Sequence, residues 1–211
     1  MATAWLPKTT LRERKALQVA SFRSPGNPAV RLSEFIAVSN IFFFGNGVSK
    51  ISVVETMTRS LFRNGLPEAL RSIWYRERAG ALAIGSDVAV LRGRLGTQHH
   101  IRAALGLCPS GFDNPSVAGG RTKVALLMVG PIDQDHLHMS LLVAASSILS
   151  RPSWRQKLLQ STKASAVLAY LRDAEGSAGP GFIRRTWDQM EQFLGRRFGW
   201  QESHQDFSDG A

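Results

Sequence analysis

A chain of 211 residues, 44% hydrophobic and 20% charged, has the composition of a globular protein with its own core, in one domain with tails. No apolar run reaches the roughly 20 residues of a membrane-crossing helix, no apolar segment follows the charged stretch Lys8 to Lys15 as in a secretory signal, and the single Cys108 excludes an internal disulfide and a cysteine-built zinc cage, so a cytoplasmic protein is expected. The net charge of +10 and pI near 10.8 imply attraction to phosphate-rich partners, but the basic residues are scattered without a run of five, which ranks nucleic acid below a protein or small-anion partner.

Residues 1–31 read as a basic tail. Lys8, Arg12, Arg14, Lys15, Arg23 and Arg31 face the single acid Glu13, and Ser24 to Pro28 breaks regular structure. Ile41 to Phe44 reads as a short buried strand ended by the turn Gly45-Asn46-Gly47, which lacks the following residues of a phosphate loop. Ser49 is a suitable N-cap for a helix with Ile51, Val54, Thr58 and Leu61 on one face, closed by Gly65. Pro67 opens a second helix with Leu70, Ile73 and Trp74 as its core stripe.

After the Gly85-Ser86 break, small and β-branched residues predict a strand through Leu91, with a weaker candidate at Ile101 to Leu107. Lys123 to Val129 is nearly all apolar, as a strand covered on both faces would be, and Gly130-Pro131 ends it. Asp135 opens a helix through Leu149 with Leu137, Leu141, Leu142 and Ala145 inward, stopped by Pro152. Short helices follow at Trp154 to Leu159 and Ala164 to Leu171. Residues 175–181 form a linker, and 182–211 hold an amphipathic helix with Ile183, Trp187, Met190 and Leu194 on one face, plus a tail. Strands alternating with helices predict an α/β fold, a mixed sheet with helices on both faces.

Several strings in this order resemble the EIIA type 2 proteins of the bacterial sugar phosphotransferase system, the fructose, mannitol and nitrogen-regulatory IIA group. The resemblance covers a domain at 32–174. Ser39-Asn40-Ile41 and Ser49-Lys50 are similar to the family's first strand and "sK" turn. The unbroken stretch Arg76-Glu77 to Arg92-Gly93-Arg94 has the spacing that ends in the family's "PHGR" string. Phe112-Asp113, Gly119-Gly120-Arg121 and Val124 to Pro131 follow, and His138 falls where the family has its second histidine, with His136 as a competitor for that register.

The resemblance implies a phosphoryl carrier that takes phosphate from HPr on a histidine and passes it to a transporter domain. At that position this chain has Arg92, whose guanidinium stays protonated and cannot act as nucleophile. Leu91 replaces the preceding proline, and Ala81-Leu82 replace a small hydroxylated pair. The expectation is therefore a regulatory or binding protein, a pseudoenzyme with no cofactor, in which Arg76, Arg92 and His138 form an anion site for phosphate or a similar group. The competing expectation is that the position has drifted and Arg92 points into solvent.

The expected partner is an HPr-like carrier, a transporter or a regulator. His138 and the loop residue His99, next to His100, are the alternative phosphoacceptors. A nucleic-acid or membrane-surface binder on the same scaffold is the third reading. Asp135, His136 and His138 do not suit a metal, because adjacent-but-one residues on a helix lie on different faces. Cys108 reads as a structural thiol and Gly119-Gly120 as a hairpin turn.

Overall fold

Side chains along the central strands alternate between two separate cores, and this alternation dictates a sheet covered on both faces. The computed structural model describes residues 30–117 and 119–177. The expectations for the basic tail before Val30, the end of the linker and the C-terminal amphipathic helix fall outside them. The described strands are β1 (Ile36–Phe43), β2 (Leu82–Ile84), β3 (Val88–Leu95), β4 (Arg102–Asp113) and β5 (Arg121–Pro131). The helices are α1 (Lys50–Leu61), α2 (Leu66–Gly80), α3 (Asp135–Leu149), α4 (Pro152–Gln160) and α5 (Ala164–Ser177), with a 3-10 turn at Leu32–Glu34.

The sheet order is β1-β4-β5-β3-β2. β1 runs parallel to β4 and β3 parallel to β5, whereas β4–β5 and β2–β3 are antiparallel, so the sheet is mixed, as expected. Val124, Leu126 and Met128 of β5 pack with Leu141, Ile148 and Leu171 under α3 and α5. Ala125, Leu127 and Val129 face Val53, Met57 and Ile73 of α1 and α2. Each of these side chains is at least nine-tenths buried, and burying one large aliphatic group contributes about 1.5–3 kcal/mol. Among the described residues no helix is long and apolar enough to cross a membrane.

Several local expectations are corrected. β1 begins at Ile36, five residues before the expected start, and lies at the sheet edge, so Phe43 is exposed rather than buried. Ser49 caps α1 as expected, accepting from the Ser52 amide at 3.1 Å. Ile51 nevertheless points outward, because the buried face is Val53, Val54, Met57, Thr58 and Leu61. Gly65 has the left-handed conformation expected of a helix-terminating glycine, with φ 77°, but it stands at the N-cap of α2, since α1 already stops at Leu61.

The strand expected between the Gly85-Ser86 break and Leu91 is β3, which continues through Arg92 to Leu95, and a strand not expected, β2, precedes the break and pairs with β3 as a hairpin turning at Gly85. β5 runs through Gly130-Pro131 instead of ending before them. The expected linker start is also revised. Glu175 belongs to α5 and accepts from the Ser33 amide at 3.0 Å and the Ser33 hydroxyl at 2.5 Å, tying α5 to the turn before β1.

Candidate functional site

Arg92 sits within β3, opposite Met128, with Arg94 two residues on and opposite Gly130. The pleat puts Val90, Arg92 and Arg94 on the face that α3 covers, while Leu91 and Gly93 face α2. His138 lies in the first turn of α3 and is 3% exposed. Arg76 lies on α2, one turn before its end at Gly80, and the Arg92 Nη2 donates to the Gly80 carbonyl at 3.3 Å.

The electrostatics show which of these groups share a neighbourhood. The Arg92 guanidinium is pulled down from its ordinary value to about 10, first by burial, then by the charges of Arg76 and Arg94, with Glu77 acting the other way. Burial first, then the charges of Arg94, Arg76, Arg92 and His136, hold His138 down at about 3, so its imidazole is neutral at physiological pH. Arg94 is also lowered by burial, partly offset by Asp135. Arg92 remains a full cation at neutral pH despite its shift.

The carboxylates nearby are already committed. Asp135 pairs with Arg94 at 2.6 Å, and Arg94 also donates to the Pro131 carbonyl at 3.1 Å, which locks the start of α3 to the end of β3. Glu77 pairs with Lys50, whose ammonium also reaches Asn114 Oδ1 at 2.8 Å. Asn114 is fully buried and donates to Thr122 at 2.9 Å, so Glu77 is held in a network joining α1, α2 and the β4–β5 turn. Among the described residues neither Arg76 nor Arg92 has a carboxylate within ion-pair distance. Two guanidiniums without counter-ions beside a neutral, buried imidazole favour an oxyanion.

His138 is poorly placed to act as a nucleophile. Its Nε2 is buried without a hydrogen-bond partner and faces Gly130, where a Cβ would come within 2.8 Å of it. His99 and His100 lie exposed in the β3–β4 loop. Gln134, just before α3, donates to the His99 carbonyl at 3.4 Å, which brings that loop beside the start of the helix. His136 is partly buried, with its pKa lowered by burial against the raising influence of Asp135 and Asp133. Sequence reasoning overlooked Arg94 and Asp135 as parts of the site. The Gly93-Arg94 pair was in view as motif spacing, but nothing in it signalled an ion pair to a helix 41 positions away.

The family model "Phosphoenolpyruvate-dependent sugar phosphotransferase system, EIIA 2" matches residues 34–174. The chain belongs to this family. No curated protein matches the sequence. Among solved structures, nitrogen regulatory protein IIA-Ntr from Neisseria meningitidis is similar at 24% identity and TM-score 0.59, over 66% of this chain and 98% of that one. The mannitol IIA of Escherichia coli aligns at 18% identity and TM-score 0.54, over 64% and 97%. A IIA (PtxA) protein from Streptococcus mutans aligns at 14% and 0.55, over 69% and 93%. At these identities the likeness establishes the EIIA 2 fold.

Proposed function

We propose that this EIIA 2 domain is a regulatory binding protein that holds a phosphate-type oxyanion at Arg76 and Arg92 on a docked partner and does not accept the phosphoryl group. What supports this reading is the pair of arginines without counter-ions among the described residues, one of them at the position where the motif resemblance implies a histidine. Phosphoryl uptake needs an accessible nitrogen lone pair, which Arg92 lacks and which burial denies to His138 Nε2. Positioning and charge neutralisation, the other requirements of phosphoryl transfer, are met by guanidiniums.

A protein partner is favoured over free phosphate by exposed apolar surface on the elements that carry the cluster. Tyr75 on α2 and Ile132 just before α3 are exposed at 68% and 62%. Exposed apolar side chains of this size suit a protein interface. The mannitol IIA of Escherichia coli has been solved in complex with phosphorylated IIB, and it aligns with this chain at 17% identity and TM-score 0.54. By analogy the partner here carries its own phosphoryl group into the arginine pair, within the cytoplasm.

The test is incubation with a phosphorylated HPr-type carrier, followed by intact-mass measurement under conditions that preserve phosphohistidine. The expected result is no mass gain beside a fully labelled, authentic IIA domain. A gain mapped to His99 or His138 would overturn the reading and make the chain a carrier with a relocated acceptor. Binding of inorganic phosphate, followed calorimetrically, should weaken by at least about tenfold in Arg92→Ala, the size of one charge-assisted contact. Equal affinity in that variant would remove Arg92 from the site.

A further inference from the structure

A groove of about 970 Å³ lies at the β1 edge of the sheet. Its walls are the turn before β1, the first half of β1, the end of α1, the middle of α5, and the start of β4. Two features distinguish it from an ordinary crevice.

The first is charge. Among the described residues, Arg31, Arg102 and Arg172 line it against one acid, Glu34. Arg102 donates to the Leu61 carbonyl at 2.5 Å and lies over the Phe62 ring. Arg31 and Arg172 have no carboxylate within ion-pair distance among the described residues. The groove therefore presents uncompensated positive charge beside the apolar side chains of Phe35, Ile36, Leu61 and Leu168.

The second is backbone. β1 pairs with β4 at Ile36↔Ala103 and again at Ile41↔Leu105, so five steps along β1 (36 to 41) span only two along β4 (103 to 105). Ala37, Ser39 and Asn40, which line the groove, fall in the segment where the ladder slips, on a strand that is already the sheet edge. Edge backbone of this kind accepts an added extended chain.

We propose that the groove is the docking site of this chain's own acidic stretch, Glu202–Asp209. Beyond Arg197 the sequence carries Glu202, Asp206 and Asp209 and neither Lys nor Arg, in a protein of net charge +10. Phe207 stands between two of those acids and supplies one apolar anchor. α5 delivers the chain to the right place. Its residues Leu168 and Arg172 form a groove wall, and Glu175 is bonded to Ser33 on another. About two dozen residues separate Ser177 from Glu202, enough chain for the acidic stretch to return to the groove. Extended pairing supplies backbone hydrogen bonds, and the arginines select acidic side chains.

The experiment uses the full-length chain carrying Ser208→Cys, labelled with a nitroxide; Cys108 is 1% exposed and stays unlabelled. Amide signals of Ser33, Ser39, Asn40 and Leu168 should lose most of their intensity relative to the reduced label, at low salt and independently of protein concentration. The charge reversal Arg31→Glu with Arg172→Glu, both at exposed positions, should restore those signals. Adding Asp206→Arg and Asp209→Arg to the reversed chain should broaden them again. Unbroadened groove signals in the parent chain would overturn the proposal. So would broadening that survives the reversal, or broadening that disappears when the spin-labelled isotopic chain is diluted into chain carrying neither label nor isotope, which would mean a second copy's tail is the occupant.

Discussion

Helix α3 can lie on β5 at its observed distance because residue 130 has no side chain. A Cβ there would come within 2.6 Å of Ile101 Cγ1 and 2.8 Å of His138 Nε2, separations that real contacts do not reach. Gly130→Ala should therefore destabilise the protein by about 1–3 kcal/mol, seen as a lower urea midpoint at unchanged slope. An unchanged midpoint would mean that α3 lifts without cost. In the sequence, Gly130 reads only as half of a Gly-Pro strand terminator. Its packing role depends on Ile101 and His138, which meet it only in the fold. The contrast with Arg92 and Arg76 is instructive. Those two were singled out by the spacing of a motif string, a signal that lies in the sequence and needs no knowledge of packing.

At the scale of elements, the Lys50–Glu77–Asn114 network joins the start of α1, the last turns of α2 and the β4–β5 turn. The Lys50 and Glu77 side chains are 16% and 10% exposed, so removing one partner leaves a nearly buried charge alone. Lys50→Ala should cost about 3 kcal/mol by urea denaturation, whereas a loss below about 1 kcal/mol would class the pair with solvated surface bridges. Ser49 as N-cap, the α3 boundaries and the buried β5 were legible because capping, helical period and continuous apolarity are local signals. The start of β1 was not. Ile36 to Asn40 shows one buried residue followed by exposed ones, with no alternation, because that stretch leaves its ladder. Ile51 was misplaced for a related reason, since helical period alone does not say which of two adjacent stripes meets the sheet.

Taken as a whole molecule, the fold loses stability in acid partly through His138. Its folded pKa of about 3 lies below the ordinary 6.5, so between those values the unfolded chain binds the extra proton. Stability should be intact above about pH 6.5 and fall as pH drops toward 3, by up to about 1.4 kcal/mol per pH unit from this group. Urea denaturation from pH 7.5 to 4 should give a shallower pH dependence for His138→Gln than for the parent chain. Parallel dependences would show that the imidazole is not kept neutral by the fold.

The strand order has a consequence for how this chain is made. β1, with the aromatic run Phe42-Phe43-Phe44 at its end, pairs with β4, whose partner residues follow some 65 positions later. β4 and β5, by contrast, close through a short turn and supply both cores at once. During synthesis from the N-terminus, β1 and α1 leave the ribosome well before anything exists to cover them, and each waits for the β4–β5 hairpin to arrive. The nascent chain therefore spends that interval with its most aromatic strand bare.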